Sequence, residues 1–182
     1  MIGNFSFMPQ AAGSSNTAAT VRQDEDAWVE RLGAWADGFQ IPEKDLPRDK
    51  AALLALQKLD LSRYHSPLPK ITRLPPEIGQ LQQLRELYLN GNQLTTLPAA
   101  IGQLQQLQIL SLVGNQLTAL PAAIGQLQQL QRLDLSGNQL TTLPDEITRL
   151  RQLEWLYIEN NPKLQLTPAQ EQFLQGVKDV LR

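Results

Sequence analysis

The 182-residue sequence contains no cysteine and a single histidine. Without cysteine the chain cannot form a disulfide framework, a thiolate zinc site or a cysteine nucleophile, and this composition suits a reducing compartment. The histidine, His65, is followed by Ser66 and Pro67 and has no cysteine nearby, so we interpret it as a solvent-facing loop residue. We therefore expect a cytoplasmic protein, with export from the cell as the alternative.

Excess charge of either sign is also lacking. The 16 lysine and arginine residues nearly balance the 18 aspartate and glutamate residues, which leaves a formal net charge of -2. A chain this close to neutrality has no basic footprint for nucleic acid or for an anionic membrane surface. The sequence also lacks a glycine-rich phosphate loop, a His-Glu zinc pattern and a serine with a histidine placed to serve it. We expect no nucleic-acid or membrane partner, no cofactor, no metal and no enzyme activity.

Leucine, in contrast, is abundant and regularly spaced. Between residues 74 and 166 one pattern occurs four times with a period of 23 residues. The recurring columns are Leu84, Leu107, Leu130 and Leu153, then Asn92, Asn115, Asn138 and Asn161, and Leu-Pro pairs that begin at residues 74, 97, 120 and 143. A fixed period of roughly 20 to 30 residues indicates a solenoid, in which each unit contacts mainly its neighbours.

Inside each unit the residues predict a strand and a buried polar column. In Leu87-Tyr88-Leu89 two apolar residues flank one that faces away, which is the period of a half-buried strand. The residues between successive strands leave room for the crossover that parallel pairing needs. Each asparagine lies between apolar positions, so we expect its amide to bond backbone groups of the surrounding loops.

The full unit, L-x-x-L-x-L-x-x-N-x-L followed by Leu-Pro and I-x-x-L, resembles the leucine-rich repeat family in its 23-residue class, which includes bacterial members. The resemblance covers about half of the chain. It implies an α/β fold, a right-handed solenoid with a short parallel sheet on its concave side, and a role in protein-protein interaction. The first unit departs from the pattern, because Tyr64 stands where asparagine is expected and residues 65–70 are added before Ile71.

The flanking segments predict helices that close the two ends of the stack. We expect a disordered tail over residues 1–23, a helical N-terminal cap over 24–55, one degenerate and four regular repeats over 56–166, and a C-terminal capping helix over 167–182. The first helix is expected to begin at Asp24 and to bury the stripe formed by Trp28, Leu32, Trp35 and Phe39. The tail has an alternative interpretation as the export signal of a bacterial effector.

The candidate site consists of the strand residues that alternate with the buried leucines and face the concave side. The predicted partner-binding residues are Glu86, Tyr88, Ile109, Ser111, Val113, Arg132, Asp134, Trp155, Tyr157 and Glu159. Several are apolar or aromatic where packing does not require it, and they alternate with charged residues, as at protein interfaces. Two alternatives remain: scattered surface variation, or cover of Trp155 and Tyr157 by the C-terminal cap.

These expectations define a non-enzymatic protein-interaction module that binds an unidentified protein or peptide. Five strands span only roughly 20 Å, so the face suits one loop, helix or peptide. We expect a monomer, since duplication of one unit explains the repeated glutamines at least as well as self-association does. The alternatives for function are a secreted bacterial effector that targets a host protein and a regulatory domain of a larger signalling protein.

Overall fold

Within residues 16–182 the regular structure comprises three α-helices, four 3-10 helices and six strands of three residues each. The computed structural model describes residues 16–182, and side chains from residue 26 onward. The helices are α1 (Asn16–Gly38), α2 (Lys50–Ala55) and α3 (Pro168–Leu174). The strands are β1 (Lys58–Asp60), β2 (Glu86–Tyr88), β3 (Ile109–Ser111), β4 (Arg132–Asp134), β5 (Trp155–Tyr157) and β6 (Asp179–Leu181).

The six strands form one parallel sheet in sequence order, so each strand pairs only with its neighbours along the chain. Leu59, Leu87 and Leu110 occupy equivalent positions in consecutive strands, and the row continues through Leu133, Leu156 and Val180. The five leucines of this row are fully buried. The expected solenoid with a short parallel sheet is therefore confirmed, with one strand more than the five that the sequence predicted.

The opposite side of each coil is a short 3-10 helix that follows the Leu-Pro pair. These helices cover Pro76–Gln80, Ala99–Gln103, Ala122–Gln126 and Asp145–Arg149. Proline is the residue before each helix, and its fixed φ favours the extended conformation found there. Neighbouring coils approach so closely that a Cβ at Gly102 would lie 2.6 Å from the carbonyl oxygen of Ala123. Glycine is therefore needed at this contact between repeats.

The asparagine column forms a continuous ladder between the coils. The Asn115 amide nitrogen donates to the carbonyls of Leu89 and Leu112, and its oxygen accepts from the amide of Leu94. Because Asn92 also donates to Leu89 and Asn138 also donates to Leu112, these carbonyls each accept two amide hydrogens, one from their own repeat and one from the next. The expected bonds from the asparagine amides to backbone groups are therefore present. The sharing of one carbonyl by two asparagines, which links adjacent repeats, was not predicted.

The aromatic stripe of α1 packs onto the first repeat. Trp28, Leu32 and Trp35 are buried in the same core as the repeat leucines, and the Trp35 indole donates to the carbonyl of Arg73 at 2.9 Å. The predicted start at Asp24 is wrong, because α1 begins at Asn16. The preceding residues include two consecutive alanines, which have the highest helix propensity and extend the helix. The part of the predicted tail before Asn16 lies outside the described residues.

The C-terminal segment differs from the single helix expected over residues 167–182. Helix α3 begins with a capping box between Thr167 and Gln170 and ends at Leu174. Gly176 follows, and a helix is less favourable there because glycine loses more backbone entropy than other residues. The chain then forms β6, which pairs with β5 and supplies backbone hydrogen bonds that a longer helix would not make with the sheet.

Candidate functional site

Three rows of side chains cross the outward face of the sheet. The first row is Lys58, Glu86, Ile109, Arg132, Trp155 and Asp179, and the second row is Asp60, Tyr88, Ser111, Asp134, Tyr157 and Leu181. The third row follows the strands and consists of Ser62, Asn90, Val113, Ser136 and Glu159. All ten predicted partner-binding residues therefore belong to these rows, since register alone brings them onto one face.

A pocket of about 300 Å³ lies at the centre of this face. Its lining residues are Tyr64, Tyr88, Asn90, Ile109, Ser111, Val113, Arg132 and Asp134. Six of them were predicted from the sequence. Tyr64 and Asn90 were not in the predicted set, and the other predicted residues, Glu86, Trp155, Tyr157 and Glu159, lie on the same face outside the pocket. Apolar side chains and hydrogen-bonding groups thus meet in a single concavity.

Tyr64 reaches the pocket from the loop of the degenerate first repeat. Its ring lies over the turns of the next two repeats, so that a Cβ at Gly91 would be 2.6 Å from its Cδ1 and a Cβ at Gly114 would be 2.8 Å from its hydroxyl oxygen. Both glycines have a φ of +66°, which residues with a side chain rarely adopt. The same two glycines therefore make the turn and provide the space for the tyrosine ring.

A hydrogen-bonded cluster fixes the polar wall of the pocket. The Asn90 side-chain oxygen accepts from the Ser111 hydroxyl at 2.7 Å and from the Val113 amide at 3.0 Å. The backbone amide of Asn90 donates to the Ser62 hydroxyl. Three consecutive repeats are joined by these bonds, so the wall is preorganised before any ligand binds.

At one end of the face, Lys58, Glu86 and Tyr88 form a cluster in which the charged and polar groups pair with one another. Lys58 Nζ lies 3.0 Å from Glu86 Oε2 and 5.0 Å from the centre of the Tyr88 ring. The hydrogen bond from Lys58 lowers the pKa of the Glu86 carboxyl. Burial raises the pKa of Tyr88, and the hydrogen bond from its hydroxyl to Glu86 raises it further. The charges in this cluster compensate one another.

The other end of the face contains Arg132, Trp155 and Tyr157. The guanidinium carbon of Arg132 lies 5.0 Å from the centre of the Tyr157 ring, and the Tyr157 hydroxyl donates to Asp179 at 3.2 Å. Burial raises the pKa of Tyr157, with the nearby Asp179 carboxylate as the next cause. Trp155 and Tyr157 are half-buried beside β6, so the C-terminal segment flanks these rings without covering them.

Within residues 16–182 there is neither a candidate metal site nor a membrane-spanning helix. Among residues 16–182, no group of three or more histidine, cysteine, aspartate or glutamate side chains is arranged to hold a metal ion. No helix within the same range combines the length and the apolar character needed to cross a lipid bilayer. His65 is exposed in its loop. The concave face remains the region of the described chain where aromatic, apolar and charged side chains converge.

Comparison with known proteins agrees with this geometry. A family profile described as leucine rich repeat matches residues 69–117 and 107–162. No curated protein matches the chain. Similar solved structures include a leucine-rich repeat protein of Leptospira interrogans, with 36% identity over 69% of this chain and 38% of that chain and a TM-score of 0.47.

Two further solved structures are similar over the same share of the chain. An internalin of Listeria monocytogenes is 25% identical over 69% of this chain and 34% of its own, with a TM-score of 0.54. The ectodomain of the Arabidopsis thaliana receptor kinase GASSHO1/SCHENGEN3, in complex with CASPARIAN STRIP INTEGRITY FACTOR 2, is 33% identical over 69% of this chain and 18% of its own, with a TM-score of 0.53. The chain therefore spans well under half of each of these structures.

A parallel sheet with one strand per coil, an internal asparagine ladder and a concave face of variable residues define a solenoid repeat protein. The profile match covers more than half of the residues. The chain belongs to the leucine-rich repeat family. Members of this family are generally non-enzymatic modules for protein-protein interaction.

Proposed function

We propose that this protein is a non-enzymatic module that binds a partner protein or peptide on its concave face. The observation that carries the proposal is the pocket formed between the β2 to β4 strands and Tyr64. Its apolar side chains lie on the outward side of the sheet, where the leucine core does not need them. Interfaces of known complexes combine such anchors with a polar rim.

The dimensions of the face limit what it can bind. Six strands at a spacing of about 4.8 Å span roughly 24 Å. This length accommodates one extended peptide, one loop or one helix, and the pocket at its centre accommodates one side chain. The Arabidopsis ectodomain was solved in complex with CASPARIAN STRIP INTEGRITY FACTOR 2, and another similar structure is a complex of PEPR1 with AtPEP1. These neighbours support a protein or peptide ligand.

We assign the binding role to the ten concave residues predicted from the sequence, with Tyr64 and Asn90 added. We also assign the chain to the 23-residue bacterial class of the repeat. Its regular strands begin at Glu86, Ile109, Arg132 and Trp155, each 23 residues after the one before. The helices α1, α2 and α3 serve as caps in this proposal. The protein acts as a monomer in the cytoplasm, and light scattering of the purified chain tests the monomer.

The experiment that tests the proposed function is affinity capture from the source cell with matched variants. The concave variant carries Tyr88→Ala and Ile109→Ala, and the control variant carries Gln106→Ala and Gln129→Ala, two exposed residues of the turns outside the three concave rows. We expect a partner that is retained by the original protein and by the control, and lost with the concave variant. Circular dichroism verifies that both variants fold. Equal retention by the two folded variants would contradict the concave site.

A further inference from the structure

The charges on the concave face are distributed unevenly between its rows. The first row alternates in sign, and Lys58 compensates Glu86 at 3.0 Å. The second and third rows contain Asp60, Asp134 and Glu159 but no lysine or arginine. The pocket opens across all three rows, and its lining contains one cation, Arg132 of the first row, and one carboxylate, Asp134. Of charged residues, the second and third rows add only carboxylates around it, so the surroundings beyond Arg132 favour a positively charged group over a negative one.

Asp134 is the carboxylate that lines the pocket, and its neighbours satisfy it incompletely. Its side chain is 12% exposed. One oxygen accepts from the Ser136 amide at 3.2 Å, and the other lies 3.7 Å from Arg132 Nη2, which is longer than the roughly 2.7 to 2.9 Å of a close charged hydrogen bond. A desolvated carboxylate with one good donor can gain from a second, closer cation.

Aromatic rings on this face already attract cations. Lys58, Arg132 and Lys178 lie 5.0 Å, 5.0 Å and 5.2 Å from the centres of the Tyr88, Tyr157 and Trp155 rings. Within residues 26–182 no such cation lies over the Tyr64 ring. Tyr64 is 52% exposed, and the Asp134 carboxylate contributes to the raised pKa of its phenol after burial. The Tyr64 ring and the Asp134 carboxylate therefore both line the pocket and can both attract a cation that enters it.

We propose that the pocket binds one lysine or arginine side chain from an extended segment of the partner. The cation lies against Asp134, and the methylene stem packs on Ile109 and Val113 beside the Tyr64 ring. This inference rests on the proposed function, because it names the chemistry of the partner at the same site. Long basic side chains suit such a slot, since they bury an apolar stem behind a charged end.

Arg132 is the internal competitor of the incoming cation. Its side chain is 46% exposed and its guanidinium also lies over Tyr157, so it can turn away from Asp134 without losing its cation-π contact. Removing its charge lowers the repulsion that a partner cation meets in the pocket. Neutralising Arg132 and neutralising Asp134 therefore have opposite effects on the affinity for a basic ligand, whereas a role of either residue in stability alone would not reverse the sign.

The test uses a random-peptide library selected on the purified full chain. Peptides that bind the original protein but not Tyr88→Ala are retained for measurement, because their binding depends on the concave face. Their dissociation constants are then measured with Asp134→Asn, Arg132→Gln and the control Asp60→Asn. Asparagine at position 134 keeps an oxygen for the Ser136 amide. Asp60 makes the equivalent bond to Ser62 at 3.0 Å, on the same row but outside the pocket.

We expect the retained peptides to share one lysine or arginine, to bind Asp134→Asn at least about tenfold more weakly and to bind Arg132→Gln more tightly. Asp60→Asn changes affinity less than about twofold, because Asp60 lies three strands from Asp134. That separation is roughly 14 Å at about 4.8 Å per strand, which is longer than the Debye length at physiological salt. Retained peptides without a basic residue, or with unchanged affinity for Asp134→Asn, overturn this inference and leave the concave site intact. A selection in which no peptide depends on Tyr88 overturns the concave site itself.

Discussion

The asparagine ladder allows a comparison in which the same side chain is removed from two different positions. Asn92→Ala and Asn115→Ala delete identical atoms from buried sites. In Asn115→Ala the Leu94 amide loses its acceptor, but the Leu89 carbonyl keeps the amide of Asn92 and the Leu112 carbonyl keeps the amide of Asn138. One buried backbone group is therefore left without a partner. This substitution should be the milder of the two.

Asn92 is the first asparagine of the ladder, because Tyr64 stands at the equivalent position of the preceding repeat. The Leu61 carbonyl, to which Asn92 donates, is therefore not shared with a second asparagine. Removal of Asn92 takes the acceptor from the Ile71 amide and the donor from the Leu61 carbonyl, and within residues 16–182 that carbonyl has no second donor. An orphaned buried group costs about 1 to 3 kcal/mol, and each further lost hydrogen bond costs about 1 kcal/mol. Asn115→Ala orphans one group and loses two further bonds, so we expect the free energy of unfolding to fall by about 3 to 5 kcal/mol. Asn92→Ala orphans two groups and loses one further bond, so we expect a fall of about 3 to 7 kcal/mol, larger by about 1 kcal/mol at the middle of the ranges.

Urea unfolding followed by tryptophan fluorescence measures both losses. The exposed neighbours Gln93 and Gln116 provide matched alanine controls, and each should change the free energy of unfolding by less than about 0.5 kcal/mol. The denaturant slope should stay constant across the four variants. If Asn92→Ala costs no more than Asn115→Ala, the idea that shared carbonyls buffer the inner positions of the ladder is refuted.

Three other predictions concern the tyrosines, the glycine turns and the N-terminal helix α1. Gly114→Ala should destabilise more than Gly137→Ala, because both have positive φ but the new Cβ lies 2.8 Å from Tyr64 at the first position and 3.4 Å from any neighbour at the second. Absorbance titration should show all three tyrosines ionising above the usual phenol pKa of about 10. Their contribution to the free energy of unfolding should be fully present below pH about 10 and should be lost as pH rises through the raised pKa of the folded state. Removal of residues 1–49 should give aggregated or unfolded protein in size-exclusion chromatography, because it exposes the core beneath α1.

Each of these predictions has its own control. Gly114→Ala and Gly137→Ala should become equal in a Tyr64→Ala background, and a persistent difference would show that Tyr64 does not occupy the turn. The tyrosine pKa values should return to the ordinary value in denaturant, and folded-state values at or below it would contradict the partial burial of the rings. A soluble chain that begins at Lys50 and unfolds cooperatively would show that the repeats do not need α1.

The regular repeats could be predicted in detail because one physical constraint recurs at a fixed interval. Leu87 and Leu89 must face the core, which fixes the direction of Tyr88, and the 23-residue period carries that direction to Ser111 and Asp134. A buried amide must find partners, so the asparagine ladder followed from the same pattern. The sequence therefore predicted which side chains share the outward face of the sheet.

The irregular ends could not be predicted as well, because two structures compete there. Leu174, Val177 and Leu181 have helical spacing, but Leu174, Val177 and Val180 also repeat the spacing of Leu150, Leu153 and Leu156, and pairing with β5 decides in favour of a strand. That second spacing was the signal for β6.

Tyr64 is a different kind of omission. Its position in the repeat marks it as an exception, but its place over Gly91 and Gly114 depends on the path of the added loop. Periodicity contains no information about such a path. Six of the residues that line the pocket were thus predicted as part of the concave face, whereas Tyr64, which reaches the pocket from the loop, was not.

The shared carbonyls also determine how this scaffold can change in length. If one whole coil of 23 residues were excised between the second and fourth strands, Asn138 would meet the carbonyl of Leu89 in place of Leu112, and every donor would again have an acceptor. After an excision of any other size, backbone amides such as that of Leu94 would no longer face an asparagine oxygen of the next repeat and would lose their acceptor. Lengthening and shortening of the molecule therefore proceed by complete turns of the coil, and each step shifts the outward residues by one strand without altering the interior.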